Sequence, residues 1–371
     1  MKSIRNEATT IAGLIMLLCM GTIYPQQHDE LWTWLYHKTI TNQEKELLAD
    51  KKEFMFQKET DQSFSQLMFS WNAFRPEQGH FSFWVQARDA NRQTWGTWHK
   101  MAEWGNQIQI SYTTPGDGHT KYEHVRLESQ KGRKSDAFRI KIVAHEGAPI
   151  DHIQSCTICI SDLTKFNPED AHSLADLPSI KVRDVPKYSQ FLLDHPRKDG
   201  LCSPTSCSML TAYILQDDID PIHFAERAYD TGLGVYGSWP FNMAHAFERC
   251  GGKWRFSVAR FASFKVLHAW IQRGIPVVVS VRGPLKGAAT PYSQGHLLVV
   301  VGWDARSQEV ICHDPAFSDP KKVRMRYAAA DFLSAWERSR RLVYVADPTP
   351  PSLRLSGSSN SASFGGLESI K

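Results

Sequence analysis

A cysteine stands at position 202, two residues before Pro204, in the run DGLCSPTSCSM (199–209). Proline fits the first turn of a helix, and SPTSCSMLTAYILQ carries Met209, Leu210, Tyr213 and Ile214 as apolar positions beyond it. The run therefore predicts a helix that begins at the thiol. The unpaired N–H groups and dipole of a helix start favour a thiolate over a thiol. A thiolate is a nucleophile, and it needs a partner that carries a proton. Of fifteen histidines, His296 stands apart. It follows Gly295 in SQGHLLVVVGW and opens an apolar strand, which puts an imidazole at a sheet edge. An imidazole needs a third group to orient it. VICHDPAF offers Asp314 at the end of the next strand, and an antiparallel hairpin through WDARSQ brings Asp314 toward His296. His313 then points away from the site, because strand neighbours face opposite ways. Cys207, one turn deeper in the helix, reads as core.

The elements that must hold these groups are legible from residue 181 onward. WPFNMAHAFERCGG reads as a helix closed by glycine. SFKVLHAWIQRG reads as another, with Ser263 as N-cap and Gly274 beyond its end. Apolar, β-branched runs follow at 275–281, 296–303, 309–314 and 341–347. Helices come first and strands later.

The earlier chain has a different texture. From about 61 to 165 it is all-β, with Phe81, Phe83 and Val85 on one face of HFSFWVQARD and Phe138, Ile140 and Ile142 on one face of AFRIKIVAH. Turn clusters such as TTPGDGH separate the runs, and the rhythm is that of a β-sandwich. Trp71, Trp84, Trp95, Trp98 and Trp104 crowd this part. Core packing accounts for tryptophans in a folded domain, and a platform for a glycan or protein ligand is the alternative. Residues 26–60 read as a polar, helix-prone lead-in, 166–180 as a linker, and 348–371 as a Pro/Ser/Gly-rich disordered tail.

Composition bounds the partners. The chain has 371 residues, 42% hydrophobic and 22% charged, enough for about two domains with real cores. Its 43 basic and 39 acidic residues leave a net +4, too even to argue for nucleic acid or a membrane surface. Residues 1–25 place Lys2 and Arg5 before the uncharged run IAGLIMLLCMGTIY, the layout of a secretory signal peptide without an A-x-A cleavage site. An uncleaved anchor or a buried helix is the alternative. No second apolar run of membrane length follows. The expectation is an exported protein, periplasmic or extracellular, whose mature chain spans no membrane. Seven cysteines are too few and too scattered for a disulfide scaffold. Cys156 and Cys159 form a lone C-x-x-C in a stretch that reads as a strand, and zinc lacks two further ligands there. Buried strand thiols or a local disulfide fit it better. No metal or cofactor is called for.

The ordered set VPKYSQ (185–190), LCSPTSCSM, GHLLVVVGW and HDP resembles the bacteriocin-processing-peptidase-like cysteine peptidases, peptidase family thirty-nine of the cysteine class. GSWPFNMAHAF, RGIPVVVSV and AWERSRRLVYV resemble its exported branch with an N-terminal β domain. The resemblance covers about 181–347. It implies an α+β, papain-like cysteine peptidase domain preceded by an all-β sandwich-like domain. It makes Cys202 the nucleophile, His296 the base and Asp314 its orienter, and it makes Gln190 an oxyanion donor beside the Cys202 backbone N–H. Ser203 stands where the family has glycine, a departure that matters if the backbone there needs a special angle. The implied substrate is a peptide or another amide, including cell-envelope material. Transfer of the acyl group to an amine, and a degenerate glycan- or protein-binding module, are the competing readings.

Overall fold

Alternation of apolar and polar side chains builds the first half of the chain into strands. The structure, a computed structural model, describes residues 31–48, 51–130, 132–348 and 367–369. Its elements begin with β1 (Thr33–Thr39), helix α1 (Asn42–Leu48), β2 (Glu53–Phe64), β3 (Gln66–Ala73), β4 (His80–Asp89) and β5 (His99–Gly105). They continue with β6 (Gln109–Ser111), β7 (Thr120–Glu123), β8 (Arg126–Ser129), β9 (Ser135–His145) and β10 (Ile153–Ser161). One sheet runs β1-β10-β3-β8-β7 and the other β2-β9-β4-β5-β6. Phe81, Phe83, Val85, Phe138, Ile140 and Ile142 are all fully buried, and Trp71 of β3 stacks on Phe83 of β4 with ring centroids 4.2 Å apart. The two sheets thus bury one side-chain layer between them.

The second half adds β11 (Ile180–Lys181), α2 (Cys202–Leu215), α3 (Pro221–Ala228), α4 (Trp239–Arg249), β12 (Trp254–Arg260) and α5 (Phe264–Gln272). Then come β13 (Val277–Gly283), β14 (Tyr292–Asp304), β15 (Glu309–His313), β16 (Arg324–Ala328), α6 (Ala329–Arg338) and β17 (Leu342–Pro348). The sheet order is β12-β17-β13-β14-β15-β16, with β11 also paired to β14. Ser263 caps α5 by accepting from the Val266 N–H. Helix α2 is buried at every position from Ser203 to Ala212. Its serines, threonines and alanine are small enough to let the helix sink against the sheet. Ser206 Oγ donates to the Leu297 carbonyl of β14 at 3.0 Å, which locks helix to strand.

Strand β12 ends its sheet, and an open strand edge needs cover. The first half supplies it with side chains. The Asn72 amide donates to the Phe256 carbonyl at 3.0 Å and accepts from the Phe256 N–H at 2.8 Å. Ser70 Oγ accepts from the Val258 N–H at 3.2 Å, and the hydroxyls of Thr157 and Ser257 lie 2.8 Å apart.

Several expectations change. Within the expected helix-prone lead-in of 26–60, residues 33–39 form β1 and residues 53–60 begin β2, with α1 the helix between them. β2 is an edge strand with one face wet, so its sequence carries too many charges to look like one. Within 166–180, Leu174 and Leu177 are buried in the second core, so this stretch is packed rather than a free linker. Within 348–371, Pro348 closes β17, and β18 (Leu367–Ser369) lies parallel to β1. Residues 1–25 lie outside the described residues. Trp71 and Trp104 are core, whereas Trp84, Trp95 and Trp98 are half-buried and each lies under a cation, with Arg139 3.8 Å over Trp95 and Lys141 4.9 Å over Trp98. Cys156 and Cys159 are free, buried strand residues. Three positions apart on a strand they face opposite ways, Cys156 into the first core and Cys159 into the second, so no disulfide joins them. No helix among the described residues is long and apolar enough to cross a membrane.

Candidate active site

Cys202 is the first residue of α2, and no side chain caps that helix. The first-turn N–H groups are therefore left for the thiol itself. Of the cysteines among the described residues, Cys202 alone is not buried. Burial of its sulfur pushes the pKa up. A hydrogen bond from His296, the charge of that ring and the N–H groups of Leu297 and Ser203 more than reverse this, so the thiol lies below its ordinary value.

His296 sits where β14 bulges. Between the pairs Val281↔His296 and Gly283↔Tyr292, β13 advances two residues while β14 advances four. Gly295 lies in that bulge at φ +92, a conformation that favours glycine. The added residues turn Tyr292 and His296 to the same side, where their rings stack at 4.0 Å and 19°. His296 Nε2 bonds Asp314 Oδ1 at 2.8 Å, which leaves Nδ1 for the thiol. Burial disfavours the charged ring, yet the Asp314 charge and hydrogen bond, with those of Cys202, raise its pKa to about 10.

Asp314 follows β15 directly and is fully buried. A buried carboxylate is costly unless its lone pairs are filled. Four donors fill them: His296 and the Ala316 N–H (3.0 Å) on Oδ1, and the hydroxyls of Tyr292 (2.7 Å) and Tyr327 (2.6 Å) on Oδ2. Burial pushes this carboxyl up, and the His296 charge and these donors bring it below its usual range. The hairpin expected from WDARSQ is present, and it sets Asp314 diagonally across from His296. His313 turns the other way, its Nδ1 2.8 Å from the Pro186 carbonyl, and burial pushes its pKa down to about 4. Cys207 is fully buried, and burial drives its thiol well above the ordinary value.

Ser203 lies inside α2 with an ordinary helical backbone, so the residue in place of glycine is unstrained. Its hydroxyl lies 3.1 Å from that of Tyr344. Gln190 is buried against the segment that leads to Cys202, but its amide differs from expectation. Both N–H bonds go to backbone carbonyls, Lys198 at 2.9 Å and Asp199 at 3.1 Å, and its Oε1 has no partner. The loop before the cysteine captures the donors that the resemblance assigns to an oxyanion.

Tyr292 and Tyr327 were missed. Tyr292 could have been found, since it shares a strand with His296 four positions earlier. Tyr327 reaches the site across β16, and no local pattern announces that.

A thiol with a lowered pKa beside an imidazole that a buried carboxylate orients is an arrangement with the chemistry for acyl transfer through sulfur. Residues 182–349 match the model described as Peptidase_C39 like family, over nearly the stretch whose motifs carry the resemblance. Among solved structures, a candidate C39-like peptidase from Bacillus anthracis is 16% identical, with 46% of this chain and 98% of that one covered and a TM-score of 0.36. Xylellain, a cysteine protease from Xylella fastidiosa, is 14% identical, with 50% and 91% covered and a TM-score of 0.31. No curated protein matches the chain.

Proposed function

We propose that the chain is a cysteine peptidase that opens an amide bond through a thioester. One observation carries this: the His296 ring lies between the Cys202 thiol at the start of α2 and the buried Asp314 carboxylate, 2.8 Å from its Nε2. The thiolate attacks the amide carbonyl and its oxygen gains the charge. The Cys202 backbone N–H meets that oxyanion, joined by Gln190 once its amide releases the loop carbonyls. His296 gives its proton to the leaving amine, and the C–N bond breaks. Water then attacks the thioester with His296 taking its proton, which frees the carboxylic acid and restores the ion pair. Asp314 does not titrate in this cycle; it keeps the ring in one orientation. The papain-like arrangement, a helix-borne thiol facing a sheet-borne histidine, is part of the same reading.

The basic n-region and apolar run of residues 1–25 support export of the enzyme, with peptide or amide material of the cell envelope as its substrate and a glycan or protein bound by the β region. Expressed in a bacterial host, the protein should leave the cytoplasm with its N-terminus trimmed, and intact cytoplasmic protein carrying Met1 would count against this. The peptidase reading is tested by incubating the chain with a peptide library and reading new termini by mass spectrometry. Cleavage by the wild type and none by Cys202→Ala is expected. Equal cleavage by both would overturn it.

A further inference from the structure

Strand β6 ends the five-stranded sheet of the β region, and a segment of the second half covers its free edge. The Thr231 N–H donates to the Gln109 carbonyl at 3.0 Å, and the Gln109 side chain donates to the carbonyls of Arg227 (3.0 Å) and Tyr229 (2.8 Å). Asp230 is the pin. It is fully buried and accepts from the Ser111 N–H at 3.0 Å and the Ser111 hydroxyl at 2.5 Å. It also accepts from the N–H groups of Gly232 (2.9 Å) and Leu233 (3.3 Å) within its own loop. Gly232 lies so close to β6 that a Cβ would stand 2.0 Å from the Ser111 carbonyl oxygen. This contact admits glycine alone.

The same loop ends beside the first turn of α2. A Cβ on Gly237 would lie 4.0 Å from that of Ser203, the residue after Cys202. The segment before Cys202 is tied to the loop as well. Arg197 donates to the Gly234 carbonyl at 2.5 Å and the Tyr229 hydroxyl at 3.1 Å, and it stacks over Tyr229 and Tyr236 at 5.4 and 5.0 Å. His195 Nε2 lies 3.3 Å from the Tyr236 hydroxyl. Both shoulders of Cys202 therefore form one body, and that body is pinned to β6.

We infer that the β region is a working part of the active site: β6, through Asp230, Ser111 and Gln109, fixes the 229–237 loop as the wall against which an extended peptide substrate lies. The inference rests on the peptidase reading above. Asp230, Ser111 and Gln109 are positioning residues, since they act through the loop. Loosening them should harm the capture of a peptide without changing the thiolate.

Two reagents separate these effects in the full chain. Iodoacetamide reads the thiolate alone, and an N-blocked dipeptidyl chloromethyl ketone must also lie along the wall. In Ser111→Ala and Asp230→Asn, labelling of Cys202 by the peptidyl reagent should slow ~tenfold or more, because small displacements of a positioning surface cost that much. Its labelling by iodoacetamide should change less than ~twofold, with an unaltered pH profile. If Asp230→Asn does not fold, Ser111→Ala and Gln109→Ala carry the test. Equal rates with both reagents, or an equal loss with both, overturn the inference. The two readings fail separately: a wild type that labels but cleaves no peptide refutes the peptidase reading and leaves the reagent ratio intact.

Discussion

Cys202 and Cys159 each accept a backbone N–H and each lie beside a cation, yet their thiols are driven in opposite directions. Cys159 on β10 receives the Arg260 N–H at 3.3 Å and lies 3.4 Å from the Thr33 hydroxyl. Burial nevertheless dominates, and its pKa is raised. The guanidinium of Arg260 is spent elsewhere, on Gln66 Oε1 (3.1 and 2.7 Å) and on the carbonyls of Ser339 and Arg340 (both 2.7 Å). At Cys202 the cation is an imidazolium that a carboxylate holds charged and that hydrogen-bonds the sulfur directly. A buried charge nearby is therefore not enough to activate a thiol. The charge must be fixed by a third group and aimed at the sulfur. An arginine would fail even if it were aimed, because it cannot give up its proton to a leaving group.

The comparison can be broken from either side. The largest effect belongs to His296→Ala, which removes both the cation and the proton carrier and should lower turnover by ~10³-fold or more. Turnover within about tenfold of wild type would mean that another base serves Cys202. Asp314→Ala comes next. It leaves the proton carrier in place, so turnover should fall by less, ~10²-fold. It also strips the acceptor from two buried tyrosine hydroxyls and should cost about 1–3 kcal/mol of stability in denaturant melts. A silent Asp314→Ala beside a fatal His296→Ala would show that the orienter is another residue.

Tyr327→Phe is subtler. The carboxyl of Asp314 is depressed in the folded state, so it contributes stability above its unfolded pKa near 3.8 that is lost as pH falls through the folded value. The Tyr327 hydroxyl is one cause of the depression, so its loss raises the folded value. Acid unfolding of Tyr327→Phe should then begin at a higher pH than in the wild type. An unchanged acid midpoint would remove that hydroxyl from the account. At the other end, the stability that His296 gains is complete below its ordinary pKa of 6.5 and fades as pH rises through about 10. The smallest effect is Cys159→Ala, which should leave turnover within about twofold of wild type, because that thiol has no proton partner. A large loss would make the C-x-x-C more than packing.

That Cys202, His296 and Asp314 come together was legible because each is marked by a neighbour with a backbone role: Pro204 in the first helical turn, Gly295 in the strand bulge, Pro315 after the sheet. Strands β4 and β9 were legible because one face of each is wholly apolar. β2 was not, since an edge strand with a wet face carries charges such as Glu53, Lys58 and Glu59 that also suit a helix. The face on which each residue of Cys156-x-x-Cys159 lies follows from period two alone. Contacts that span the chain left no local mark. Tyr327 on Asp314, Asp230 on Ser111 and Asn72 on Phe256 join segments whose neighbours in sequence are ordinary. The capture of the Gln190 amide by the carbonyls of Lys198 and Asp199 has no local mark either.

The most direct test of the central claim is the pH dependence of iodoacetamide labelling at Cys202, read by peptide mapping with substoichiometric reagent. A thiolate held by His296 should react at about pH 6, well below the ordinary thiol range, ahead of Cys156, Cys159, Cys207, Cys250 and Cys312. In His296→Ala the onset should move up, because the ring's hydrogen bond and charge are lost and only the N–H groups of Leu297 and Ser203 still oppose burial. If Cys202 labels no faster than Cys250 at that pH, and the onset stays where it is in His296→Ala, the thiol is not activated and the account is wrong.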